Sequence, residues 1–282
     1  MIELNRFCLN RKAAPGISLE KTIPLVAGVG VTNIELRNDL YGSADNNTIL
    51  DHLSGKQVAD LLKENHVSVE TINAIGNMDK RDLIEDNLRS LTEMLEMSKD
   101  FSLKNIIFCP VRSKDDTRSS EQRQKEAIAN IKEYSKLLAK YSVSGLLEPL
   151  GFEDSTLRTP WEGQNVIKAS GVDNFKLVAD TFHYYLASVT PKEFEEKVDV
   201  NYIGLVHLSS VIDKKARNVL DDQDRYMLDK NDIMESAQWA KRFEAAGYKG
   251  LYAFEPFSDD LKKWDTEKVK DELMKSIDMV RE

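Results

Sequence analysis

Eight short runs of apolar and β-favouring residues recur along the chain, and their regular spacing is what most limits the folds open to it. The runs cover residues 2–9, 33–36, 67–72, 106–109, 145–148, 175–180, 202–208 and 251–255, so successive starts lie 31, 34, 39, 39, 30, 27 and 49 residues apart. Between and after them, residues 19–27, 56–63, 82–97, 121–138, 193–197, 233–246 and 267–280 carry helical periodicity. In the third of these, Ile84, Leu88, Leu91 and Leu95 fall on one helical face, which has to cover another apolar surface. The cadence is strand, loop, helix and loop, repeated.

Some of the runs, such as Ile106-Ile107-Phe108, are apolar without alternation, as strands are when helices cover a parallel sheet. Eight such units make a closed (β/α)₈ TIM barrel the economical architecture. A doubly wound open sheet is the rival. It is disfavoured because the glycine-rich phosphate turn of a dinucleotide site is missing after the first run, where Ala14-Pro15-Gly16 reads as an ordinary turn. With 41% hydrophobic and 31% charged residues, the 282-residue chain can bury the core of one barrel. No linker or composition shift divides it, and residues 113–120 read as a polar loop entering a helix. A single domain over residues 1–282 is expected.

The balance of 39 basic and 48 acidic residues gives a charge of −9 without any Lys/Arg-rich run, which argues against nucleic acid as the partner. The N-terminus has no basic start followed by an apolar core and cleavage site, and the longest apolar stretch, around residues 23–31, is far short of the roughly 20 needed to span a bilayer. A cytoplasmic protein without a membrane segment is the expectation. Cys8 and Cys109 fall in apolar strand runs and read as reduced thiols of the interior. His52 and His66, in polar helical surroundings, read as surface residues.

In a barrel of this kind the chemistry collects where the strands end. The fifth run closes on Glu148, the sixth on Asp180 and the eighth on Glu255, while the seventh carries His207 near its end. Carboxylates and an imidazole gathered from four neighbouring strands suit Mn²⁺, Mg²⁺, Co²⁺ or Zn²⁺. Arg37 ends the second run and either meets substrate or pairs with a loop carboxylate, the second being favoured. Trp161 and Phe257 either wall a sugar face or pack as ordinary core residues.

Five segments together carry a family likeness: Ile34-Glu35-Leu36-Arg37, Leu147-Glu148-Pro149, Asp180-Thr181-Phe182-His183, Val206-His207-Leu208, and Gly247-Tyr248-Lys249-Gly250 running to Phe254-Glu255-Pro256. Over essentially its whole length the chain resembles the xylose-isomerase-like TIM barrels, which include sugar-phosphate isomerases and epimerases, tagatose and psicose 3-epimerases and the inosose isomerases of inositol catabolism. Leu4-Asn5-Arg6-Phe7 and Glu35-Leu36-Arg37-Asn38-Asp39 are most similar to the inositol-catabolism branch.

The resemblance implies one divalent ion held by Glu148, Asp180, His207 and Glu255, with Glu148 and Glu255 as base and acid at the carbon beside a carbonyl. It also implies that His183 binds a substrate oxygen and that Arg225 approaches the reacting oxygens, a role for which Arg217 in the same long loop competes. The expected substrate is a ketose, an inosose or a related polyol ketone, turned over in inositol or sugar catabolism. A phosphorylated substrate is less favoured, since no basic cluster is visible at the late strand ends.

The alternatives are an endonuclease-IV-like phosphodiesterase, a dehydratase of the same fold and a sugar-binding protein without turnover. The first needs a three-zinc cluster rich in histidine, and this chain has four histidines in all. An exposed barrel face near Trp264 is compatible with a homo-oligomer.

Overall fold

A computed structural model describes residues 1–282. Its strands are β1 (Phe7–Asn10), β2 (Asn33–Arg37), β3 (Ser68–Ile75), β4 (Leu103–Phe108), β5 (Ser144–Leu147), β6 (Phe175–Asp180), β7 (Ile203–Leu208) and β8 (Leu251–Phe254). They lie in chain order, all parallel, and β1 pairs with β8 to close the barrel. The helices are α1 (Leu19–Gly28), α2 (Gly55–Asn65), α3 (Ile84–Met97), α4 (Ser120–Lys140), α5 (Pro160–Ser170), α6 (Thr181–Leu186), α7 (Pro191–Lys197), α8 (Ser236–Ala245) and α9 (Thr266–Arg281). None is long and apolar enough to cross a membrane.

Each strand is buried on both faces, so alternation separates two cores instead of core from solvent. Outward residues such as Leu9, Ile34, Phe108, Leu147, Leu177, Val206 and Phe254 join the large core under the helices, where Ile84, Leu88, Leu91 and Leu95 of α3 also pack. Inward residues Cys8, Ile107, Leu146, Val178, Leu205 and Ala253 form a small apolar layer inside the barrel. Two residues further along each strand, the same inward face opens at the C-terminal mouth.

The boundaries differ from expectation in places with identifiable causes. The first strand starts at Phe7 and not at residue 2, because Leu4–Arg6 form a 3₁₀ turn. Arg6 fixes that turn by donating to Gly250 O at 2.9 Å and pairing with Glu244 at 2.8 Å. The helix expected over 233–246 begins only at Ser236, where Asp232 accepts the backbone N–H of Ser236 at 2.8 Å. Helix α5 was not anticipated at all, although Thr159 and Glu162 form a capping box around Pro160 at the first helical position.

Candidate functional site

Period-two geometry carries six side chains from the apolar layer to the mouth. Cys8 is followed two residues on by Asn10, Ile107 by Cys109, Leu146 by Glu148, Val178 by Asp180, Leu205 by His207 and Ala253 by Glu255. Glu148 and Glu255 stand one residue past their strands, yet each remains on the ladder: Glu148 N–H donates to Phe108 O and Glu255 N–H to Leu208 O, both at 2.9 Å. Asp180 and His207 are direct partners across β6 and β7.

The four residues read from the strand ends converge. His207 Nδ1 lies 3.0 Å from Glu148 Oε1, 3.1 Å from Glu255 Oε2 and 3.8 Å from Asp180 Oδ2, with all four side chains buried. One donor atom from each falls within 4.8 Å of the others, close to the span of about 4.4 Å available to ligands about 2.2 Å from a shared ion.

The other ring nitrogen supports the same use. His207 Nε2 is 3.3 Å from Glu35 Oε2, and Glu35 also accepts from Thr71 Oγ1 at 2.5 Å and Asn10 Nδ2 at 3.2 Å. An acceptor at that position holds the proton on Nε2, so the Nδ1 proton is the one a cation would displace and the Nδ1 lone pair would then face the cluster, as with a carboxylate behind a metal-binding histidine. This donor set fits a divalent cation.

Cations surround the cluster from above. Arg225 Nη2 donates to Asp180 Oδ2 at 2.7 Å and to Glu255 Oε2 at 2.8 Å, and Arg37 Nη1 donates to Glu255 Oε1 at 2.5 Å. Asn10 and Asn73 Nδ2 reach the same Oε1 at 3.2 and 3.1 Å. Phe257 lies beneath both guanidinium groups, 4.9 Å from Arg37 and 4.7 Å from Arg225. Cys109 points its thiol at Glu148 Oε2, 3.7 Å away.

The two glutamates are driven apart in proton affinity. Burial lifts the Glu148 carboxyl above its ordinary value, and the charge of Glu255 adds to this against the pull of His207. Burial would lift Glu255 as well, but His207, Arg225 and Arg37 hold it well below the usual carboxylate range. Burial opposes charge on His207, yet Glu255, Glu35 and Glu148 keep its pKa well above the ordinary value. His183 is pushed the other way, to about 4, by burial and then by Arg225. Its Nδ1 is buried without a partner, and Phe152 and Phe182 stand edge-on to its ring.

Of the remaining sequence-derived residues, Phe257 and Arg37 belong to the mouth, and Arg37 pairs with the loop carboxylate Asp39 as well as with Glu255. Arg217 does not join the cluster: it donates to Ser188 Oγ at 2.6 Å and lies on Tyr185, which leaves Arg225 as the arginine of that loop at the carboxylates. Trp161 departs from the sugar-wall reading, because it sits on α5 against the outer core with Lys197 4.3 Å over its ring. His52 and His66 are exposed. Glu35, Asn10 and Asn73 were missed as site residues; the signal for Glu35 is the alternation Asn33, Glu35, Arg37 against Ile34 and Leu36 in a strand buried on both faces.

Comparison with known proteins adds four findings. A family model described as a xylose isomerase-like TIM barrel matches residues 23–282. An inosose isomerase of Halalkalibacterium halodurans is 23% identical over 203 residues, 71% of this chain and 71% of that protein. Among solved structures, a xylose isomerase domain containing protein from Salmonella typhimurium LT2 superposes with a TM-score of 0.92 at 34% identity, covering 100% of this chain and 99% of the other. An IolI protein with a bound zinc atom gives a TM-score of 0.85 at 20% identity, over 98% of each chain.

Proposed function

The chain belongs to the xylose isomerase-like TIM barrel family, and from that premise we propose that it is a divalent-metal-dependent isomerase or epimerase of a ketose, an inosose or a related polyol ketone. The observation that carries this reading is the convergence of Glu148, Asp180, His207 and Glu255 at the barrel mouth. The inosose isomerase relative and the zinc in IolI point the same way. In this reading residues 1–282 form one domain, and those four side chains hold the ion.

A bound divalent ion there would draw electron density from the substrate carbonyl and so acidify the neighbouring C–H. The protein supplies the proton transfers. Glu255, held ionised by His207, Arg225 and Arg37, is suited to take a proton from carbon, while Glu148, whose carboxyl is raised by burial, is suited to give one back. Arg225 then stands within reach of negative charge that develops on the substrate oxygens, and the neutral His183 offers its unpartnered Nδ1 to a hydroxyl. Phe257 and Phe182 lie against the guanidinium of Arg225, 4.7 and 4.9 Å from it.

A phosphodiesterase of the same fold is not favoured, because only His183 and His207 of the four histidines lie at the mouth. The test is NMR on an inosose and ketose panel: interconversion of isomers that stops with chelator and returns with Mn²⁺ or Zn²⁺ supports the reading. Product formation that chelator leaves untouched would remove the metal from it.

A further inference from the structure

Beside the metal cluster, on the same face of the barrel, lies a second cleft of about 510 Å³ whose walls come from the loops after β4, β5, β6 and β7. It presents Arg112, Lys114, Arg158 and Arg217 against the two carboxylates Glu153 and Asp154. A surplus of positive charge is unusual in a chain whose net charge is −9.

The manner in which these cations are held gives the cleft its chemistry. Arg158 donates Nε and Nη2 to the Gly151 carbonyl at 3.3 and 2.9 Å, and Arg217 donates to a hydroxyl and lies 4.3 Å over Tyr185. Arg112 lies 3.4 Å over the Phe152 ring, and its carboxylate neighbours are at the long distances of 3.4 Å for Asp154 and 3.8 Å for Asp222. Neutral carbonyl, hydroxyl and aromatic groups thus orient Arg158 and Arg217 without cancelling their charge, whereas Arg112 shares its charge with Asp154. Arg118, further along the loop between β4 and α4, shows the contrast: it is within 3.1 Å of each of Asp79, Asp116 and Glu126.

The cleft is also joined to the site. Its wall residue Phe152 packs on His183 with ring centroids 5.4 Å apart, and Gly151 lies so close to the start of α6 that a Cβ there would come within 2.1 Å of His183 O.

We propose that this cleft is an anion site that binds phosphate or carboxylate oxygens next to the metal cluster, carried by a polyol substrate or free in solution. Oriented guanidinium donors with uncancelled charge are what such oxygens select. The sequence conceals this because the cations stand at positions 112, 114, 158 and 217, with no basic run among them.

The experiment is calorimetric titration of the metal-loaded protein with inorganic phosphate, fructose 6-phosphate and fructose. It is repeated on the double variant R158Q/R217Q and on K114Q, whose side chain makes no partner contact. Saturable phosphate or fructose 6-phosphate binding that weakens about tenfold or more in the double variant, at unchanged thermal midpoint, is expected. Tighter binding of fructose 6-phosphate than of phosphate places the anion on the substrate, and equal binding makes it a separate ligand. Absence of saturable anion binding, or binding that both variants leave unchanged, overturns the proposal. Because the readout is binding and not turnover, it fails or stands independently of the isomerase reading.

Discussion

Two layers inside the barrel stand two residues apart on the same strands and differ in almost every physical respect. The lower one, built from Cys8, Ile107, Leu146, Val178, Leu205 and Ala253, is apolar and holds no charge. The upper one sets Glu35, Glu148, Asp180 and Glu255 against His207, Arg37 and Arg225, all nearly inaccessible to solvent. Apolar burial stabilises directly, whereas buried ions repay their desolvation only through close pairing and often add nothing net. The lower layer therefore supports the fold, and in the proposed function the upper layer holds the ion and the substrate.

That contrast is broken most sharply by Glu255→Gln. The amide keeps the shape, Arg37 and Arg225 retain Asp39 and Asp180 as partners, and the fold should persist by circular dichroism. Turnover should fall by about 10²- to 10⁴-fold. Undiminished turnover would end the catalytic role of Glu255. Leu205→Ala should do the converse. It should lower unfolding free energy by about 2–5 kcal/mol in a denaturant titration, while the folded molecules keep their metal stoichiometry. A metal-free but undiminished fold would merge the two layers.

Glu35→Gln is a subtler test of the upper layer. Without its carboxylate behind His207 Nε2, metal affinity should drop about 10- to 100-fold. If affinity did not move, Glu35 would be a structural residue only.

The pH dependence tests the upper layer without a substitution. The pKa of His207 is raised in the metal-free fold, so its contribution to stability is complete below about pH 6.5 and disappears as pH rises through the raised value. A cation must displace that proton, so metal binding should tighten with pH by up to about tenfold per unit for each proton released. The raised carboxyls of Glu148 and Asp180 act in the same direction. Competition with a metal-sensitive dye at pH 6 and pH 8 measures it, and tighter binding at pH 6 would contradict it.

Much of this was legible from the chain alone. Apolar runs at 27- to 49-residue spacing located all eight strands, and the last two residues of the later runs included the four that converge. The polar members of the earlier strands were harder to read. In β2 every residue is buried, so the inward direction of Glu35 follows only once closure of the barrel gives the sheet an inside. Asn10 and Asn73 are uncharged, and Asn10 ends its strand, which in sequence resembles a turn. Arg37 was visible, but its hold on Glu255 spans 218 residues of chain. The basic cleft draws its cations from separate loops and leaves no linear trace.

Deuterium incorporation from D₂O tests the central claim most directly. Inososes and ketoses would be incubated with the protein plus Mn²⁺, and again with chelator, and read by NMR. The expected result is metal-dependent exchange at a carbon next to the carbonyl, lost in Glu255→Gln. Absence of exchange across the panel with metal bound, or exchange that chelator does not stop, would contradict the account.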